Sequence, residues 1–473
     1  MMEIPCGMQE QFLEAKELIE SSNDIKIYTH TDCDGICSGA ILSIILDRLN
    51  KDYEIEFVNL DEIEDLDLDH KLTIFSDLGS GQGVDKNAKD GQKILILDHH
   101  PPLRDINYKN DKAYTYLEIN PMFYGIDGSY YVCGGGLCYF LAKTFGFKDL
   151  SWIGVLSAIG DMQNNKTGHF EGLNEIIQED AINEGLLKVT KNDLNIYGRS
   201  TRPLYVALSY FSDVKLPITN NQQEAKVVLE ELGVDEKHNR KTLSEVTEED
   251  KMEIKKFLSR MISKRVPPKY LKYVPKLIVG DAYTFLNEEE GSFLRDGSEF
   301  STAMNACGRN RKEAIGVDII KGDRLVALDA LEEVSKTHKY NLATSISKVA
   351  DNYHSEIIEL DNFQYFDCSD FDEDIASNII GTITGMVLGY CNWKKPILGF
   401  SKPKNNQIKV SLRCSKLLAY DGIHFGNIMR EIAKEVGGTG GGHAIACGAY
   451  IPNEKKSEFL DKFNRKLQGK IAN

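Results

Sequence analysis

The chain has 473 residues, 42% hydrophobic and 27% charged, with a net charge of −16 at neutral pH. That is ordinary water-soluble globular composition, which argues against a fibrous or low-complexity chain, and the length suffices for two or three domains with cores of their own. No apolar run is long enough to cross a bilayer and nothing at the start reads as a signal peptide, so a cytoplasmic protein without membrane contacts is expected.

In chain order, Met8 to Ile19 reads as an amphipathic helix with Phe12, Ala15, Leu18 and Ile19 on one face. Asp24 to Thr29 is a predicted strand, and Ile36 to Leu49 a predicted apolar helix. Leu72 to Ser76 and Ile94 to Leu97 are short, mostly apolar runs, as expected for strands covered on both faces. Gly134 to Phe145 and Ser151 to Ile159 read as helices. This alternation predicts an α/β fold around a doubly wound parallel sheet, with its site beyond the carboxyl ends of the strands.

The stretch from Asn192 to Ala350 is less regular. It offers a charged helix at Thr247 to Lys264, a Pro267–Pro268 break and a strand candidate at Lys276 to Val279. The pattern then resets into a small α+β domain. Lys395 to Phe400 and Gln407 to Arg413 read as a hairpin, followed by a helix at Asn427 to Glu435, a glycine run and a strand at Ala444 to Ile451. The expected domains are 1–191, an inserted connecting region 192–350, and 351–473.

The acidic charge is clustered, as at Asp61 to Asp69 and Asp370 to Asp374, while basic residues gather at Lys255 to Lys276, Arg309 to Lys312 and Lys394 to Lys416. An acidic protein can still carry a locally positive groove, although any one of these clusters by itself is better explained by a solvated face. The ten cysteines form no CxxC pair, which predicts reduced and mostly buried thiols.

Four polar clusters fall at the ends of predicted elements. His30-Thr31-Asp32-Cys33-Asp34-Gly35 follows the first strand, Asp77 follows the second and Asp98-His99-His100 the third, while Asp161 ends a helix. Each alone is weak, since a lone aspartate after a strand is commonly a helix cap. Together, on parallel strands, they converge on one sheet edge, where crowded carboxylates require cations. Oxygen-rich ligands with imidazole suit Mn²⁺ or Mg²⁺, and two such ions support phosphoryl chemistry. Gly134-Gly135-Gly136 lacks the spacing of a nucleotide loop and reads as a helix start near the metal edge.

These residues resemble the DHH phosphoesterase family, whose name-giving triplet stands here as Asp98-His99-His100. The segment Gly440-Gly441-Gly442-His443-Ala444-Ile445-Ala446-Cys447-Gly448 resembles the GGGHxxAxG signature of the DHHA1 domain. Within the family the chain is most similar to archaeal RecJ-like proteins, including the GINS-associated nucleases. The resemblance implies two ions, Mn²⁺ or Mg²⁺. Asp32 and His30 would hold one, Asp34, His99 and Asp161 the other, and Asp77 would bridge both. His100 would touch the scissile phosphate, and Asp98 would support its neighbours or ligate. Arg413, Gly440, Gly441, Gly442 and His443 would bind the substrate phosphates, with Arg309 a further candidate. The residues of the glycine run by themselves read rather as a tight turn between the helix Asn427 to Glu435 and the last strand, and a surface helix end explains Arg309 about as well.

The implied function is metal-dependent exonuclease action on single-stranded DNA or RNA, with 5′→3′ digestion of DNA, in replication or repair. A small-molecule phosphodiesterase, cleaving cyclic dinucleotides or very short oligonucleotides, shares every motif. A non-catalytic replisome scaffold binding GINS is a third reading, because such proteins resemble the RecJ-derived subunit of the eukaryotic replicative helicase. Retention of the full ligand set favours activity.

Overall fold

A computed structural model describes residues 2–60, 62–109, 113–234, 241–350, 355–369 and 373–471. Asp61 and Asp370 to Asp372, from the acidic clusters, lie outside the described residues. The chain forms two compact units, residues 1–192 with 281–335, and residues 193–280 with 336–473. The middle of the sequence is therefore divided between them.

The first unit is built on a five-stranded sheet of β1 (Ile25–Thr29), β2 (Tyr53–Phe57), β3 (Leu72–Ser76), β4 (Lys93–Leu97) and β5 (Thr115–Ile119), in the order β2-β1-β3-β4-β5. Every pairing is parallel. Leu72, Ile74, Leu95 and Leu97 face one core and Phe75, Ile94 and Ile96 the other, so these apolar runs are buried on both sides. Fully burying each such side chain contributes about 1.5–3 kcal/mol. The edge strand β2 alternates instead, and Glu54 and Glu56 stay outside, where Lys26 pairs with both at 3.1 and 3.0 Å.

Helix α1 (Cys6–Glu20) buries Met8, Phe12, Ala15 and Ile19, the stripe expected from its periodicity, with Leu18 half-buried at its margin. Helices α2 (Cys33–Arg48), α3 (Gly134–Thr144) and α4 (Ser151–Gly160) pack together in the same core, and α5 (Leu173–Asn183) lies against α4. The opposite face is covered by the irregular chain around Val58, Ile63, Leu68 and Val84. Helix α2 starts three residues before its expected first residue, Ile36, because Asp32 caps it by accepting from the Gly35 N–H at 3.1 Å. Asp34 is thereby placed in a helical first turn.

Helix Gly297–Arg309 packs on α2 and α4, and helix Glu313–Lys321 packs on α2, so this part of the middle belongs to the first core. A Cβ at Gly308 would stand 1.7 Å from the Thr31 carbonyl oxygen, and Asn305 Oδ1 accepts from the Cys33 N–H at 3.0 Å. Gly308→Ala must push the helix off the His30–Gly35 loop. We expect a loss of about 1–3 kcal/mol, the usual cost of overpacking, together with weakened metal binding. Thermal melts and Mn²⁺ titration of the variant check both.

The second unit carries a six-stranded sheet of β8 (Ile358–Glu359), β9 (Gln364–Asp367), β10 (Ile397–Phe400), β11 (Gln407–Arg413), β12 (Thr439–Gly442) and β13 (Ala446–Pro452), in the order β12-β13-β11-β10-β9-β8. Strands β9 and β10 are parallel and the other pairs antiparallel. Helix Phe425–Glu435 covers one core and helix Glu373–Met386 contributes to another. Helix Glu248–Ser263, capped by Thr247 at the Asp250 N–H, buries Ile254, Leu258 and Ile262 in a further core of this unit.

The strand expected at Lys276 to Val279 is helical up to Ile278, and the remaining pair of strands is β6 (Leu187–Leu194) with β7 (Val279–Phe285). Pro275 explains the difference, since its fixed φ and missing N–H suit the first turn of a helix, here Val274–Ile278. The glycine run is an edge strand rather than a loop, with Gly440, Gly441 and Gly442 opposite Ala449, Gly448 and Cys447. Gly442 has a φ of 120°, and a Cβ at Gly426 would stand 1.8 Å from its carbonyl oxygen, so these glycines let strand and helix approach closely. All ten cysteines are free thiols and only Cys6 is exposed. Among the described residues no helix is long and apolar enough to cross a membrane.

Candidate metal centre

The strand order places a topological switch between β1 and β3, the position at which open parallel sheets bind ligands. His30 to Asp34 follow β1 and Asp77 follows β3 at that switch, while Asp98, His99 and His100 follow β4. Asp161, at the end of α4, joins them. Donor atoms of His30, Asp32 and Asp77 lie within 4.8 Å of one another, as do those of Asp34, His99 and Asp161. Either group can hold a cation.

Asp77 stands between the two groups. Its Oδ2 is 3.5 Å from His30 Nδ1 and its Oδ1 3.2 Å from His99 Nε2. It is buried and adopts a φ of 58°, a strained left-handed backbone of the kind that gathers at functional sites. Asp77 Oδ2 and His99 Nε2 are buried and make no hydrogen bond. Such orphaned atoms are costly in a folded protein, and a cation in each group would satisfy the one that faces it. The donor set, carboxylate oxygens with imidazole nitrogens, is that of Mn²⁺ or Mg²⁺ sites.

The ligand orientations are fixed from behind. His99 Nδ1 sits 2.7 Å from the Gly128 carbonyl oxygen, which can only accept, so Nδ1 carries the proton and Nε2 is left for a cation. Asp34 receives the N–H groups of Gly134 at 2.9 Å and Gly135 at 2.7 Å, and the Ser157 hydroxyl. The Gly134-Gly135-Gly136 run thus points the positive end of α3 at a carboxylate. A Cβ at Gly134 would be 2.7 Å from Asp77 Cβ, and one at Gly135 2.2 Å from Ser157 Oγ, so only glycine permits the approach. Both oxygens of Asp98 are taken. Oδ1 accepts from the His99 and His100 N–H groups and from His100 Nδ1 at 2.8 Å, and Oδ2 from the Ser80 N–H at 2.9 Å. Asp98 therefore aims the half-exposed His100 ring.

Electrostatics follow from the crowding. Burial, with Asp34 and Asp32 nearby, pushes Asp77 well above the usual carboxylate range. Burial and Asp161 raise Asp34. Burial opposes protonation of His99, but Asp161, Asp77 and Asp34 override it and raise its pKa well above the ordinary value. His30 is raised against burial in the same way by Asp32 and Asp77. Desolvation pushes Asp32 up, yet His30 wins and holds it below the carboxylate range.

Without metal, protons stand in for cations. The stabilisation from raised Asp77 and Asp34 is complete below about pH 4 and that from raised His99 and His30 below about pH 6.5, and both are lost as pH climbs through the raised values. The depressed Asp32 and Asp98 work oppositely, and only on acidification below about pH 4. The expected result in a chelator is a melting temperature that falls from about pH 6 to about pH 9. Added Mn²⁺ should stabilise most at the alkaline end, where its ligands are deprotonated. Melting curves with chelator and with Mn²⁺ across that range measure both.

Arg309 ends the helix whose Gly308 abuts Thr31, so it belongs to the first unit beside the His30–Gly35 loop. Arg413, Gly440, Gly441, Gly442 and His443 belong to the second unit. Arg413 ends β11 opposite Ala446, three residues past His443. Gly381 and Gly385 leave room for its side chain, and a Cβ at Gly381 would lie 3.0 Å from Nη2. The guanidinium donates to the Leu412 carbonyl at 2.8 Å and meets no carboxylate among the described residues. Burial lowers its pKa. Sequence reasoning missed Ser157, Gln163 and Asn305, which carry no motif and meet the site only through folding.

The chain matches the DHH family N-terminal domain over residues 24–155, the DHH-CID domain over 196–274 and the DHHA1 domain over 361–469. An uncharacterized protein of Methanocaldococcus jannaschii is 30% identical over 446 residues, covering 93% of this chain and 92% of that protein. The chain belongs to the DHH family. Its fold is similar to that of CDC45 from Entamoeba histolytica, with a TM-score of 0.61 at 15% identity, over 98% of this chain and 99% of the other. It is also similar to RecJ from Thermus thermophilus in complex with Mn²⁺, with a TM-score of 0.54 at 13% identity, over 99% of this chain and 55% of that one. The α/β parallel sheet followed by a DHHA1 domain is a RecJ-like DHH fold.

Proposed function

We propose that this DHH protein is a metal-dependent phosphodiesterase that hydrolyses single-stranded nucleic acid from an end, using two Mn²⁺ or Mg²⁺ ions. The observation that carries the reading is Asp77, a buried carboxylate standing between two ligand groups, with its Oδ2 left unbonded on the His30 side and His99 Nε2 left unbonded on the other. His30 and Asp32 would hold one ion with Asp77, and Asp34, His99 and Asp161 the other. Bound there, the ions supply a nucleophile at neutral pH and stabilise the oxygens at phosphorus.

The chain's own residues do the rest. His100, aimed by Asp98, donates a hydrogen bond to a non-bridging phosphate oxygen. Arg413 offers a planar fork to a phosphodiester, with the β12 edge and His443 as further donors. Arg309 offers a second fork from the catalytic unit. The RecJ structure named for Mn²⁺ is consistent with this choice of ion.

A second reading is favoured by one observation, the full-length similarity of fold to CDC45. In that reading the chain is a replisome scaffold with GINS or other replisome proteins as partners. One assay separates the two. Single-stranded DNA and RNA oligonucleotides, labelled at either end, are incubated with the protein and Mn²⁺. Stepwise shortening from one end, from the 5′ end of DNA by the expected polarity, supports the nuclease. No cleavage of either polymer or of a dinucleotide, with tight binding to a replisome protein, replaces it by the scaffold.

A further inference from the structure

Gln163 stands outside the ligand set, yet it touches the supports of two proposed ligands at once. Its Nε2 donates to Asp161 Oδ2 at 2.6 Å and to the Gly128 carbonyl oxygen at 2.8 Å. That same carbonyl accepts from His99 Nδ1. One amide therefore spends both of its hydrogens on tying Asp161 to the element that orients His99.

The amide has one workable orientation. Its Oε1 accepts from Asn174 Nδ2 at 2.9 Å, and Asn174 also donates to the Tyr130 carbonyl at 3.3 Å. Flipped, Oε1 would face the Asp161 carboxylate and the Gly128 carbonyl, acceptor against acceptor, and Nε2 would face the Asn174 amide nitrogen. Gln163 is 2% exposed and Asn174 1%, so water does not compensate a wrong orientation. Met162, between Asp161 and Gln163, adopts a φ of 56°, and this left-handed step ends α4 so that residues 161 and 163 turn toward Gly128. Among the described residues no comparable bridge reaches His30 or Asp32, whose side-chain contacts there are with each other, Asp77 and the Gly35 N–H.

We infer that Gln163 is a positioning residue for one metal ion only, the one assigned to Asp34, His99 and Asp161, and that Asn174 sets the orientation in which it works. The inference rests on the two-ion reading above. Without the amide, Asp161 and His99 lose their common anchor, while the His30, Asp32 and Asp77 group keeps its geometry. Loss of such a supporting hydrogen bond typically weakens a metal site tenfold to a hundredfold. Sensitivity of one ion and indifference of the other is the signature that separates positioning from general stability.

The test is Mn²⁺ titration of the full chain, reading free Mn²⁺ by electron paramagnetic resonance. The parent should bind two equivalents. Gln163→Met, similar in volume but unable to hydrogen-bond, should keep one equivalent at parental affinity and weaken the other on the order of tenfold to a hundredfold. At saturating Mn²⁺ its KM for an oligonucleotide should be unchanged. Asn174→Asp, which cannot donate to Oε1, should weaken the same ion and serves as the readout if Gln163→Met does not fold. Two equivalents at parental affinity in a folded variant overturn the inference. Equal weakening of both ions also overturns it, since that is a structural effect. A parent that binds fewer than two ions overturns the two-ion reading and this inference with it.

Discussion

Replacing Asp77 by alanine is expected to abolish phosphodiester hydrolysis, by on the order of a thousandfold or more, about 4 kcal/mol of barrier. Among the described residues Asp77 is the one carboxylate placed within reach of both His30 and His99, so its loss removes a ligand from each group at once. The fold should survive, because its oxygens supply no hydrogen bond that the surrounding strands need. The metal-free chain should even gain stability near pH 8, where burial and the neighbouring Asp34 and Asp32 make ionised Asp77 unfavourable. Asp77→Asn is the better variant for that comparison, since asparagine tolerates the left-handed backbone that alanine resists. Steady-state hydrolysis, Mn²⁺ titration and chelator-treated melting curves are the measurements. Turnover of the alanine variant close to the parent under saturating Mn²⁺ would remove the bridging role.

The second large effect is expected at Arg413. Removing a charged phosphate contact costs about 1.5–3 kcal/mol, so Arg413→Ala should raise KM for oligonucleotides roughly tenfold to a hundredfold while both ions bind as before. Arg413 meets no carboxylate among the described residues and its charge is disfavoured by burial. A half-buried cation that meets no carboxylate among the described residues is a liability that a fold retains for a ligand. Arg413→Met, which keeps the stem and removes the charge, should therefore raise the melting temperature while weakening substrate binding. Lysine should restore little, because it lacks the planar fork. Parental KM in Arg413→Ala, or a lower melting temperature in Arg413→Met, would make the residue structural and leave the glycine strand without a phosphate role.

Much of this site is legible along the chain because its chemistry is concentrated at strand ends. Strands β1, β3 and β4 are recognisable as apolar runs, and the residue after each is polar, so His30, Asp32, Asp34, Asp77, Asp98, His99 and His100 are named before any folding is considered. The edge strands β2 and β5 are harder to see. In β2 the charged Glu54 and Glu56 interrupt the apolar pattern, since an edge strand has one side in water.

The sequence alone determined the parallel sheet, the helical stripe of α1, the hairpin β10–β11 and the eight polar residues of the metal edge. Each rests on local periodicity or on a residue's place after an element, and neither needs a distant partner. Tertiary structure alone decided the rest. It made the glycine run a strand, because pairing with β13 outweighs the turn tendency of its glycines. It turned Gly134 and Gly135 into donors for Asp34, contacts spanning 100 and 101 residues. It brought Asn305 and Gly308 against the His30–Gly35 loop, and Gln163 between Asp161 and Gly128. Those are long-range hydrogen bonds and close approaches, and no spacing in the chain encodes which donor will meet which acceptor.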